Sequence, residues 1–319
     1  MGAVLAFTLA SGVGVQAKSP EELAKVTQIS QAEFEALKPA GEATLEQKRE
    51  VIGDILTDAG VPEFMADRID ANTVESLYNC QEIIVRSEYF AESVDGKLTQ
   101  IPSEQKKRID AYNDRYTGNA MDHVMLNSSG EISPMSYKES DEISNLTHGL
   151  IVGTAVDGRH ICWAMGIWNA SPLNRWVDFL GVTSSHTRVA LDTATAAITY
   201  TVEKDGYTEE YGDTFEFDPG DFTESGCGVG KQFDMPNDHI RYNSSTRIME
   251  ILPCEDISMS LIVWCETDAK PESCYVVSDY YHKYIGLTVS VSFSGTTAGF
   301  SVSPRYAFMH SDVSCPLAE

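Results

Sequence analysis

From His148 onward, apolar residues recur at every second position in short runs broken by turn residues, a period that fits half-buried β-strands and excludes amphipathic helices. Ile161 to Trp168, Thr187 to Leu191, Ala197 to Glu203, Thr214 to Phe217, Ile248 to Leu252, Ile257 to Trp264 and Tyr275 to Tyr284 are the clearest runs, rich in branched and aromatic side chains. Lys204-Asp205-Gly206 provides a hairpin turn into a further strand that begins at Tyr207. Roughly eight or nine strands with no helical pattern between them predict an antiparallel all-β sandwich or barrel over 148–319.

The preceding region has a different period. Ser30-Gln31-Ala32-Glu33 and Thr44-Leu45-Glu46-Gln47 are capping boxes, each of which opens a helix. The second helix carries Val51, Ile52, Ile55 and Leu56 on one face and stops at Gly60, and Pro62 then starts a short helix reaching Ile69. Asn72 or Thr73 caps another, which Val74, Leu77, Tyr78, Ile84 and Val85 carry to about Phe90; Ser103 to Tyr116 is a further amphipathic segment. The expected architecture is therefore α+β: a helical region over 18–116, a polar linker over 117–147 and the β domain.

Within the helical region, Ala59-Gly60-Val61-Pro62-Glu63-Phe64-Met65-Ala66-Asp67-Arg68-Ile69, leading into Thr73-Val74-Glu75-Ser76-Leu77-Tyr78, resembles a segment near the start of uncharacterised secreted proteins of Gram-positive bacteria. The resemblance implies export and assigns no activity and no functional residue.

Export is also what the first residues predict. Met1 to Val15 is uninterruptedly apolar or small and closes with Val15-Gln16-Ala17 before Lys18, so 1–17 reads as a signal peptide, too short to span a bilayer stably. No Lys or Arg precedes the apolar core, and a buried N-terminal helix is the alternative, weakened by Gly12 and Gly14. The protein is expected to be secreted or held at the cell surface. Forty-eight acidic against 23 basic residues give a net charge of -25, which repels phosphate backbones and makes nucleic acid an unsuitable partner.

Several constellations could carry function. Asp213, Glu216, Asp218, Asp221 and Glu224 gather around the turn Pro219-Gly220 and are the one candidate metal set, for calcium, although their spacing departs from an EF-hand. Calcium is the only cofactor so suggested. Trp168 and Trp176 bracket a turn-rich loop containing Asn174, and exposed indoles there, with that amide, would form a sugar-binding platform. Seven cysteines are an odd number; Cys265 and Cys274 flank a loop between two apolar runs and are the favoured disulfide.

The segment 285–308 alternates apolar with hydroxylated residues and has the length of a membrane-inserting hairpin, but the same alternation suits an ordinary sheet with one wet face. Gly226-Cys227-Gly228-Val229-Gly230-Lys231 fails as a phosphate loop, having Ser225 and Gln232 where glycine and a hydroxyl are required. No histidine pair has metal-ligand spacing and no local motif nominates a nucleophile. The leading expectation is an exported, non-enzymatic binding protein for an extracellular glycan or protein. Membrane contact enters only with the alternative of a β-pore built on 285–308, and a hydrolase without a recognisable motif is the third reading.

Overall fold

The computed structural model describes residues 23–92, 98–116, 123–126, 132–135, 144–169, 172, 177–185, 187–204, 207–222, 226–243, 248–267, 275–283 and 308–316. The chain enters through β1 (Ala24–Ile29) and turns at Ser30 into α1 (Gln31–Leu37). Both capping boxes form: Glu33 accepts from the Ser30 amide at 3.0 Å, and Gln47 does the same for Thr44 at the head of α2 (Leu45–Asp58). Short α3 (Phe64–Asp67) and α4 (Ala71–Tyr78) follow. Asp70 caps α4, accepting from the amides of Asn72 and Thr73, so the cap lies two to three residues before the positions expected from sequence.

The helix expected to run on to Phe90 ends instead at Tyr78, and Cys80–Glu92 is a 13-residue strand, β2. Ile83, Ile84 and Val85 explain the correction. A continuous branched run has no helical or strand period of its own, and here both of its faces are buried. β3 (Leu98–Ile101), α5 (Ser103–Tyr116) and the small hairpin β4 (His123–Leu126) and β5 (Ile132–Met135) precede β6 (Asn145–Ala155) and β7 (His160–Trp168).

The later strands are β8 (Val177–Ser184), β9 (Thr187–Val189), β10 (Thr195–Lys204), β11 (Tyr207–Phe215), β12 (Gly228–Asp234), β13 (Asp238–Asn243), β14 (Ile248–Pro253), β15 (Glu255–Thr267), β16 (Tyr275–Lys283) and β17 (Phe308–Pro316). β10 and β11 pair with Lys204 opposite Tyr207, the hairpin expected from the sequence.

Among the described residues every pairing is antiparallel, and neither of the two larger sheets closes on itself. The first has the order β1-β2-β6-β7-β15-β10-β11, with β3 added beside β2 and β9 beside β15; the second has the order β12-β8-β16-β17. Because β2 and β6 pair from Cys80 to Ala91, residues from either side of 117–147 belong to one sheet.

Alternation along its strands gives the first sheet two apolar faces. Val85, Ile151, Trp163 and Ile167 pack against Ile52, Leu56, Val74 and Leu77 of the helices. Leu150, Ala164, Met259 and Val263 pack against Leu180, Val182, Val229 and Val276 of the second sheet. The result is helices, a central sheet and a covering sheet. Burying each large aliphatic or aromatic side chain in these layers contributes about 1.5–3 kcal/mol.

Two glycines are required by close approach. Gly60 has φ +86° and accepts a hydrogen bond from the Tyr89 hydroxyl at its carbonyl, 3.3 Å away, where a Cβ would collide with that hydroxyl. At Gly166 on β7, a Cβ would lie 2.9 Å from the ring of Tyr280, which therefore rests directly on the sheet backbone.

Candidate functional site

α2 is amphipathic, and its outward face bears a row of carboxylates. Glu46, Glu50, Asp54 and Asp58 follow one another at intervals of four residues, so one helical ridge carries all four, each exposed. The ridge walls a groove of about 1140 Å³ whose opposite wall is β1 and α1, through Thr27, Ile29, Ala36 and Leu37. Glu33 joins from α1, with Glu63 and Asp67 at one end.

Like charges four apart on a helix destabilise it, and Asp54 and Asp58 also lie at the negative end of the helix dipole. The last turn holds no basic residue. Nor do neighbouring cations relieve the ridge: Lys48 is held at 2.7 Å by Glu75, and Arg49, the one base lining the groove, donates to the carbonyls of Asp67 and Ile69. Among the described residues no ion pair reaches the four ridge carboxylates. The groove thus combines an aliphatic wall with an unneutralised acidic one, which suits an elongated cationic partner.

A point cation fits less well. Among the described residues no three His, Cys, Asp or Glu side chains converge closely enough to hold a metal ion. In the acidic loop expected to bind calcium, Asp213, Glu216 and Asp218 are exposed, while Asp221 accepts from the Asp218 amide at 2.8 Å and from the Lys231 ammonium at 2.7 Å. Lys231 also donates to the Glu216 carbonyl at 2.7 Å, so a lysine is seated where a bound cation would draw on this loop. Glu224 lies outside the described residues.

A second concentration of ionisable groups sits between the two sheets. Ser278, Tyr280 and His282 occupy alternate positions of β16 and face inward. His282 Nδ1 is 2.9 Å from Asp178 Oδ1 on β8, and its Nε2 is 3.8 Å from Glu92 Oε1 at the end of β2. The Tyr280 hydroxyl donates to the other Asp178 oxygen and accepts from Trp168 Nε1 at 3.0 Å; His148 Nε2 meets Ser278 Oγ at 2.8 Å.

Burial alone would lower the His282 pKa, but the Asp178 charge and hydrogen bond, with Glu92 behind them, outweigh it and raise it to about 10. Burial, reinforced by the Asp178 charge, pushes the Tyr280 hydroxyl well above its usual range. His282 is therefore an imidazolium between two carboxylates. Proton transfer to a substrate requires reach, and His148, Trp168, Asp178, Tyr280 and His282 are all closed to solvent. The arrangement is an ion pair between adjacent strands of the second sheet, tied to the first sheet through Glu92 of β2 and Trp168 of β7.

Trp168 belongs to that interior and is not the exposed indole expected. It ends β7, as the run Ile161 to Trp168 predicts, and its ring lies tilted against His282 with centroids 5.0 Å apart, because the second sheet covers this end of the strand. Trp176 and Asn174 lie outside the described residues, as do Cys274 and residues 284–307 of the expected membrane hairpin. Cys265 is a buried free thiol. Among the described residues no helix is long and apolar enough to cross a membrane.

Sequence reasoning missed the groove, although its signal, acidic residues repeating at four on a correctly identified helix, was present. The Asp178, Tyr280 and His282 set has no such local signature, because its members meet only through sheet pairing. No protein-family model matches the chain, and no curated protein matches it.

Proposed function

We propose that the chain is an exported, non-enzymatic binding protein whose helix-side groove engages a Lys- and Arg-rich segment of an extracellular protein partner. The observation that carries this reading is the ridge of Glu46, Glu50, Asp54 and Asp58, a destabilising row of like charges that no ion pair among the described residues reaches. Such a row costs helix stability, and a cationic partner would relieve it. The aliphatic opposite wall, including half-exposed Leu37, offers contact to the stems of long basic side chains. The net charge of -25 would accelerate encounter with such a partner. The apolar stretch 1–17 supports action outside the cell.

The direct test is calorimetric titration of the full chain with a lysine- and arginine-rich peptide and with an acidic peptide of equal length. Saturable binding of the basic peptide alone, weakening steeply as salt rises, is expected. Equal behaviour of the two peptides, or binding indifferent to salt, would overturn the reading.

A further inference from the structure

Cys162 on β7 and Cys265 on β15 lie on neighbouring strands of the central sheet. Cys162 is registered with Val263 and Cys265 with His160, so the cysteines are diagonal neighbours whose side chains point to the same face. Their sulfurs are 3.6 Å apart, in van der Waals contact, and both residues are fully buried in the core between the sheets. The other cysteines of the described segments are placed differently: Cys80 belongs to the core on the opposite face of the sheet, Cys227 is partly exposed just before β12, Cys254 is buried between β14 and β15, and Cys315 lies on β17 in register with Val276 of the second sheet.

We propose that Cys162 and Cys265 are a disulfide site, closed when the chain folds in the presence of a small-molecule disulfide such as oxidised glutathione. One cysteine thiolate attacks a sulfur of the oxidant, displacing a glutathione thiolate and leaving a mixed disulfide. The second cysteine thiolate attacks the protein sulfur of that intermediate, forming the Sγ–Sγ bond and displacing the second glutathione thiolate. The two S–H protons end on the two glutathione thiols, so two protein thiols and one oxidised glutathione become one protein disulfide and two reduced glutathiones.

Bond formation draws the sulfurs from contact distance to about 2.05 Å, a shortening shared by two side-chain rotations and the twist of the strands. Because neither sulfur reaches solvent, the exchange takes place before the second sheet closes over the first. The finished bond is then shielded from reductants. It closes a loop containing β8 to β14, so it restrains the unfolded chain and raises the melting temperature. This inference does not depend on what the groove binds.

The experiment folds the full chain with a glutathione redox pair, confirms a cooperative melt, blocks remaining thiols by alkylation in denaturant, and maps peptides by mass spectrometry without reduction. Cleavage after glutamate isolates 256–266, which contains Cys265 alone. The expected result is 256–266 joined to the peptide bearing Cys162, two hydrogens lighter than the separate pair, with the link resisting a soluble reductant until denaturant is added. The variants C162A and C265A should each lose the link and leave the remaining partner alkylated. Recovery of both cysteines as alkylated thiols from the folded protein, or Cys265 linked to Cys274 or to any other cysteine, would overturn the proposal.

Discussion

His282 Nδ1 stands 2.9 Å from Asp178 Oδ1 across β16 and β8, and neither side chain reaches solvent. The folded-state pKa of His282, about 10, lies above its ordinary value of 6.5, so protonated His282 stabilises the fold fully below pH 6.5 and this contribution is lost as pH rises toward 10. The amount at stake is on the order of 3–5 kcal/mol. His160, whose pKa burial lowers, acts only below this window, where unfolded histidine takes up protons that the folded one does not. Urea unfolding between pH 6.5 and 9 should show falling stability, and D178N should flatten that slope while lowering stability throughout.

The contact between Gly166 and Tyr280 gives a second prediction. G166A places a methyl 2.9 Å from a ring that cannot retreat, because its hydroxyl is fixed by Asp178 and Trp168. A loss of about 1–3 kcal/mol is expected in equilibrium unfolding. Loss of the near-ultraviolet signal of Trp168 and Tyr280 should accompany it.

At the head of α2, Thr44 accepts from the Gln47 amide at 3.3 Å in an exposed capping box. T44A should reduce stability by roughly 0.5–2 kcal/mol through loss of the cap, with no effect on peptide binding. Thermal unfolding beside the binding titration separates the two effects.

Much of this architecture was legible where the signal is local. The Ser30 and Thr44 caps, the Gly60 stop and the pairing of Lys204 with Tyr207 follow from residues within a few positions of one another. What failed was decided at long range. Ile83 to Val85 resume the apolar content of α4 after Asn79, Gln81 and Glu82 at a spacing that a helix also allows, and burial against both helices and the covering sheet makes them a strand. Trp168 follows the same logic: its turn-rich successors suggested exposure, whereas Asp178 on the next strand and Tyr280 on the distant β16 receive its N–H. Asp178 and His282 are 104 residues apart and share no motif.

The acidic ridge makes the most direct demand on the account. D54N removes two of the like-charge contacts along α2, those with Glu50 and Asp58, and also an unfavourable charge near the helix C-terminus. The variant should be more stable than the parent by roughly 0.4–1 kcal/mol. It should also bind the basic peptide more weakly, and E50K combined with D54K should abolish binding in a fully folded protein. The decisive measurement is therefore unfolding stability and peptide affinity determined together for the parent and D54N. A gain in stability with a loss of affinity is the predicted result; unchanged affinity in D54N and in the double charge reversal would contradict the assignment of the groove.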